Sequence, residues 1–198
     1  MSTRLGRLGA VRRLLGSAPP PPPDVVVAAG ERVLAWAVVV PEAEPAPPGS
    51  TTHAAATRSA LYLPAAGDPA GAHRIPWEQV EAADWDAETE TFRVSEVGEW
   101  GQQRPEHRLR LADPTRLLQL VRERVTASVV HLRHVPIEGR RGARVIARRA
   151  PNTHEPLHWI VEYDDGIDPG DLRVRLAVAE ELALARGEVG DDDGVARP

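Results

Sequence analysis

The stretch 74–94, RIPWEQVEAADWDAETETFRV, constrains the chain most. Pro76 bends the backbone after Ile75, because its ring fixes φ and removes a donor. From Val80 onward, Val80 and Ala82 alternate against Glu81, Ala83 and Trp85, the period of a half-buried strand. Residues 86–90, DAETE, make a polar reversal, and 91–94 return with Phe92 and Val94 inward. Bend, strand, reversal and strand together predict the middle of a small antiparallel barrel.

The flanking segments extend that reading. Val33 to Val40 is broadly apolar and predicts a buried strand, whereas 41–50, PEAEPAPPGS, cannot hold a ladder and predicts a loop. Residues 52–63 resume as a strand, with Leu61 and Leu63 on one face and Ala60 and Tyr62 on the other. Residues 64–72 read as a loop, and 96–106 as another that contains Trp100. In 107–112, Leu109 and Leu111 alternate with Arg108 and Arg110. Asp113-Pro114 then predicts a helix start, with the aspartate as N-cap and the proline where its missing N–H costs nothing. Its apolar stripe is Leu117, Leu118, Val121, Val125 and Val129, the face that would close the barrel.

A second pattern follows. Residues 130–137, 143–149 and 157–163 read as three strands, turning at 139–142 and 150–156. In the last, Leu157, Trp159, Val161 and Tyr163 face one way and His158, Ile160 and Glu162 the other. Asp168-Pro169 repeats the cap pattern and opens a helix to about Arg186, with Leu172, Leu176, Ala179 and Ala183 as its expected stripe, broadened by Val178 and Leu182. The expected organisation is a tail and polyproline linker (1–24), a barrel with its helix (25–130), a three-strand-plus-helix module (131–190) and an acidic tail (191–198).

Composition narrows the function classes. Net charge is −5, so no global field argues for nucleic acid. All 24 basic residues are Arg. The absence of Cys removes disulfides, thiol nucleophiles and thiolate metal sites together, and fits a reducing cytoplasm. No apolar run approaches the roughly 18 residues that would suggest a membrane span. Arg12 and Arg13 interrupt the place where a signal peptide needs its apolar region. The expected location is therefore cytoplasmic, with a membrane-peripheral position as the variant.

The order of elements in 30–130 resembles bacterial PH-like and GRAM-like domains. The residues that carry the resemblance are Gly30-Glu31-Arg32-Val33-Leu34, Ser59-Ala-Leu-Tyr-Leu63, Ile75-Pro76-Trp77-Glu78-Gln79-Val80, Phe92-Arg93-Val94 and the helix after Asp113. The resemblance implies a bent antiparallel barrel closed at one end by the helix. It also implies a domain that binds lipids, peptides or proteins and is rarely an enzyme. The basic loop that phosphoinositide binders place between their first two strands is replaced by 41–50, with two Glu and no Arg. The second half of the chain resembles an uncharacterised actinobacterial family, and that resemblance attaches no particular activity to it. The expected fold class is thus α+β: a PH-like antiparallel β-barrel with a capping helix, then a three-stranded antiparallel sheet with a C-terminal helix.

Motifs for chemistry are few. His154-Glu155-Pro156-Leu157-His158 matches the letters of a zinc-protease helix, but Pro156 and the strand alternation of LHWIVEY deny it the helix that aims both histidines at one ion. His131 and His134 fall three apart in an expected strand and point to opposite faces. Residues 164–168, DDGID, lack the spacing and closing Glu of a calcium loop and read as a turn and cap. No G-x-S-x-G, P-loop or G-x-G-x-x-G context appears. The reading is therefore no catalytic residues, no metal and no cofactor.

Arg133, Arg140, Arg141, Arg144, Arg148 and Arg149 crowd one hairpin with Glu138 the only acid among them. Guanidinium forks suit phosphate and carboxylate, so Arg140, Arg141, Arg144 and Arg148 are the candidate contacts for an anionic partner. The alternative for such a run is a solvated hairpin balanced by acids elsewhere. Trp100 is either an exposed anchor of the kind enriched at interfaces or a cover for the barrel mouth. The function expected is a non-enzymatic interaction module for a protein or anionic partner. Its alternative is a peripheral membrane-binding protein using the Arg-rich N-terminus and the 133–149 hairpin; nucleic acid is the least favoured partner.

Overall fold

A computed structural model of the chain describes residues 25–41, 53–65, 68–98, 104–151 and 153–191. The fold is α+β. β1 (Ala35–Val40), β2 (His53–Ala56), β3 (Ala60–Ala65), β4 (Asp68–Pro76), β5 (Val80–Asp86), β6 (Thr91–Glu96) and β7 (Glu106–Ala112) form one seven-stranded antiparallel sheet in the order β4-β3-β2-β1-β7-β6-β5. Two meanders are thus joined where β1 pairs with both β2 and β7. The sheet curls into a half-barrel. α1 (Thr115–Ser128) follows β7 and packs against β1, β5 and the corner before β5.

The corner is built as the Ile-Pro sequence requires. Pro76, at φ −56°, opens a 3-10 turn over Trp77–Gln79, and Trp77 is fully buried with its indole N–H donating to the Thr57 carbonyl at 3.3 Å. Strand alternation puts Leu61, Leu63, Ile75, Phe92, Val94 and Leu111 into one core, which Leu117 and Val121 of α1 complete. The outer face of β2 and β3 is covered by a smaller cluster of Val25, Val33, Ala55, Ala60 and Tyr62. Beside it, Glu31 accepts hydrogen bonds from Thr57 Oγ1 (2.5 Å), Tyr62 OH (3.1 Å) and the Arg74 guanidinium (2.7 Å), fastening the entering chain to β3 and β4.

Several expectations needed correction. The segment 64–72 is not all loop: β3 runs to Ala65 and β4 begins at Asp68, pairing from Ala60 opposite Pro76 to Ala65 opposite Asp68. Pro64 is tolerated beside a register shift between Pro64 and Ala65. The single strand read over 52–63 is two, split by a turn at Thr57–Ser59. On β5, a bulge between Val80 and Ala82 resets the alternation, so that Val80, Ala83 and Trp85 all pack on the core. Asp113 does not cap α1 with its side chain; it takes a left-handed φ of 47°, and Pro114 occupies the cap.

The second sheet follows the sequence closely. β8 (Val129–Glu138), β9 (Arg141–Arg148) and β10 (His158–Tyr163) pair in the order β10-β9-β8. Gly142 is required by packing, since a Cβ there would stand 1.8 Å from the Val135 carbonyl oxygen. α2 (Leu172–Val189) starts later than Asp168: Asp171 is the N-cap, accepting from the Arg173 N–H at 2.7 Å, and Gly190 ends the helix at φ 69°. Its buried residues are Val174, Val178 and Ala185, and the two valines pack with Ala143 and Ile167. Of the expected stripe only Val178 is buried and Leu182 half-buried, whereas Leu172 and Leu176 are 65% and 61% exposed. α2 carries apolar residues on opposite faces, so periodicity alone cannot choose between them.

Candidate functional site

Two constellations stand out. The first is a cleft of about 440 Å³ between α1 and β5. Phe92 and Val121 form its floor, Trp85, Leu118 and Val125 its apolar walls, and Asp84, Arg122 and Thr126 lie on its rim. β5 is an edge strand, paired with β6 alone. The carbonyls at its start, Val80 and Glu81, are taken by the Arg148 guanidinium at 2.8 and 3.1 Å. From Ala82 onward, no other described strand covers that edge. Its size falls in the range of ordinary ligand sites, and its apolar walls with a few polar rim groups suit a hydrophobic guest.

The second is a polar trio on the inward face of the half-barrel. His73 lies on β4 two residues before buried Ile75, Glu96 on β6 two after Val94, and His107 on β7 two before Leu109. Strand alternation places all three on the core side. Their side chains retain 42%, 19% and 28% exposure, so the trio closes the apolar column at a solvent-accessible end. Both imidazole Nε2 atoms converge on a single oxygen, Glu96 Oε1, at 2.9 Å from His73 and 2.7 Å from His107. The two rings lie 5.1 Å apart, tilted by 35°. Burial alone pushes the Glu96 carboxyl up, but hydrogen bonds from His107 and His73 outweigh it and hold the group below its ordinary value. Because β3, β2, β1 and β7 separate β4 from β6 in the sheet, this contact joins strands that are not neighbours.

The chain matches no protein-family model, no curated protein and no solved structure. What its residues can do is therefore read from their own surroundings.

The arginines of the hairpin do not form a free cationic patch. Arg148 is 5% exposed and serves as a strut between the sheets, its guanidinium bonded to Val80, Glu81 and Ser128. It is corrected from a candidate binding residue to a structural one. Arg141 pairs with Glu138 at 2.9 Å and Arg144 with Glu162 at 3.1 Å. Arg133 is held by Glu181 and Glu188 of α2 at 3.0 and 2.9 Å. Arg140 is exposed at the turn. Trp100 lies outside the described residues, as do the N-terminal arginines.

Beside the strut, Glu81 is pushed up by burial and by the nearby Glu162 charge, with Arg104 partly offsetting them. His154 and Glu155 are exposed in a segment without regular secondary structure, and His158 begins β10, so the five-residue zinc-protease pattern is not helical. Asp164 instead accepts from the Gly142 N–H at 2.9 Å and from His134 at 3.2 Å, a turn fastening as expected.

Sequence reasoning missed His73, Glu96 and His107. The signal was present: each is a titratable residue at a position where strand alternation calls for an apolar one, next in phase to Ile75, Val94 and Leu109. Reading 64–72 as a loop hides the strand that carries His73, reading 96–106 as a loop hides the place of Glu96 at the end of β6, and only the curl of the sheet brings β4 to β6.

Proposed function

We propose that the chain is a non-enzymatic interaction protein whose seven-stranded sheet and α1 act as a PH-like recognition domain. Its guest is an extended apolar peptide segment of a partner protein, lying in the cleft between β5 and α1. The observation that carries this reading is the open edge of β5 beside an apolar cleft walled by Trp85, Leu118 and Val125. A strand added to such an edge gains main-chain hydrogen bonds while alternate side chains enter the cleft. The PH-like assignment is supported by the order of the elements, two meanders bridged by β1 and a helix after the last strand.

The test is selection from a random-peptide library on the full chain, followed by titration of the selected peptides. Binding is expected to perturb the amides of Ala82–Asp86 and of α1, and to fall at least tenfold in Val125→Glu. Peptides that bind Val125→Glu as tightly as the parent protein would overturn the reading. The alternative, a peripheral membrane protein, draws on N-terminal arginines outside the described residues and on a hairpin whose arginines are mostly paired. Co-sedimentation with anionic vesicles at low salt, reversed by salt, would favour it over the peptide reading.

A further inference from the structure

We propose that His73, Glu96 and His107 bind one divalent transition-metal ion of the zinc class. The argument starts from convergence. A carboxylate has two oxygens, and two imidazoles that only needed hydrogen-bond partners can take one each. Here both Nε2 atoms address the same Oε1, and the three ligand atoms lie within 4.8 Å of one another.

Two nitrogens and one carboxylate oxygen are a recurrent three-residue zinc set that leaves a fourth position open. Imidazole donors favour zinc, cobalt, nickel or copper over magnesium and calcium, which require oxygen. In a tetrahedral site with bonds near 2.0 Å, ligand atoms stand about 3.3 Å apart. The observed separations of 2.9 and 2.7 Å need to open by only a few tenths of an ångström.

The protonation states also suit binding. With Glu96 ionised, each imidazole donates Nε2–H to Oε1; on metal binding the proton moves to Nδ1 and the Nε2 lone pair faces the ion. His73, at 42% exposure, leaves a path for the ion and room for a water as fourth ligand. None of the residues lining the α1–β5 cleft belongs to this trio, so the inference stands apart from the peptide reading. The bound ion would link β4 to β6 and β7, with neither of which β4 shares a ladder, and act as a clasp on the open side of the curled sheet.

The experiment uses the untagged full chain, stripped with a chelator. Titration with Zn²⁺ against a competing dye, and with Co²⁺ read by its visible d–d absorption, is expected to give one equivalent per chain with the intensity of a four-coordinate site. Zn²⁺ at about 100-fold over its Kd should raise Tm by roughly 5 °C or more. His73→Asn, Glu96→Gln and His107→Asn should each weaken binding at least tenfold, while the double variant His154→Ala/His158→Ala leaves it unchanged. The ¹⁵N signals of His73 and His107 should shift in the unaltered protein, a readout independent of variant folding. Absence of binding by the unaltered chain would overturn the proposal. So would binding that survives His73→Asn/His107→Asn, or is lost in His154→Ala/His158→Ala.

Discussion

The two sheets handle polar residues in opposite ways. The seven-stranded sheet curls, so a titratable side chain on its inner face meets others from strands far away in the ladder, as His73 meets Glu96 and His107. The three-stranded sheet is too small to curl on itself. Its surface charges are neutralised one at a time, Arg144 by Glu162, Arg141 by Glu138 and Arg133 by Glu181 and Glu188. A crowd of arginines adjacent in sequence therefore makes no concentrated cationic site, while three residues spread between positions 73 and 107 make a concentrated polar one. Local composition is a poor guide to local electrostatics; the face and the curvature decide.

The comparison breaks most visibly where the first sheet depends on a single anchor. Trp77→Ala removes a fully buried indole and its bond to the Thr57 carbonyl. It should cost about 3–5 kcal/mol in chemical denaturation, the range for large aromatic truncations. No residue of the second sheet's core is as large: Ala143, Val145 and Ala147 fill its buried centre.

The seam between the sheets comes next. Arg148→Ala leaves the Val80 and Glu81 carbonyls without their donor and takes one of the two cations from Glu162 and from Glu81, which keep Arg144 and Arg104. A loss of about 2–4 kcal/mol is expected, since removing one partner of a buried charge network strands the others. The sharper readout is cooperativity. If Arg148 couples the sheets, the variant should unfold in two transitions where the parent protein unfolds in one, followed by Trp77 beside the seven-stranded sheet and Trp159 in β10. A transition that stays single and shifts little would show that the sheets are coupled by their apolar contacts instead.

How much of this was legible depended on period. β8, β9 and β10 were readable within two residues at each end, because Gly139 and Gly142 mark the first turn and Pro151 and Pro156 the second. β5 was found but its inward set was misjudged, since the bulge after Val80 changes the phase and nothing in VEAADWD announces it. β4 was lost to Pro69, Gly71 and the short apolar spacing of 68–76, all of which suggest a loop. The His–Glu–His trio required both β4 and the curl, and curvature is a property of the whole sheet that no local window holds.

A smaller effect separates the two units by pH. Burial alone would push the Glu31 carboxyl up, but hydrogen bonds from Thr57, Arg74 and Tyr62, with the Arg74 charge, hold it below its ordinary 4.5. Its folded pKa lies below the unfolded one, so in that window the unfolded chain binds more protons. Its contribution is complete above about pH 4.5 and is lost as pH falls through the folded value. Glu31→Gln should cost about 1 kcal/mol at neutral pH. It should also flatten the acid side of the Tm profile; an unchanged acid slope would place the sensitivity elsewhere.

The smallest expected effect tests the face of α2. Leu172, Leu176 and Leu184 are 65%, 61% and 55% exposed, while Val174, Val178 and Ala185 are buried. Were the helix turned to bury Leu172 and Leu176, as their spacing suggests, Leu176→Glu would place a carboxylate in an apolar core and cost several kcal/mol. In the observed orientation the same change leaves stability within about 0.5 kcal/mol, because the side chain stays in water in both states. Val178→Glu is its counterpart, and here the large loss is expected. Comparing the two by thermal unfolding fixes the rotation of a helix whose own pattern is apolar on two sides, and the sign of the difference depends on nothing else in the molecule.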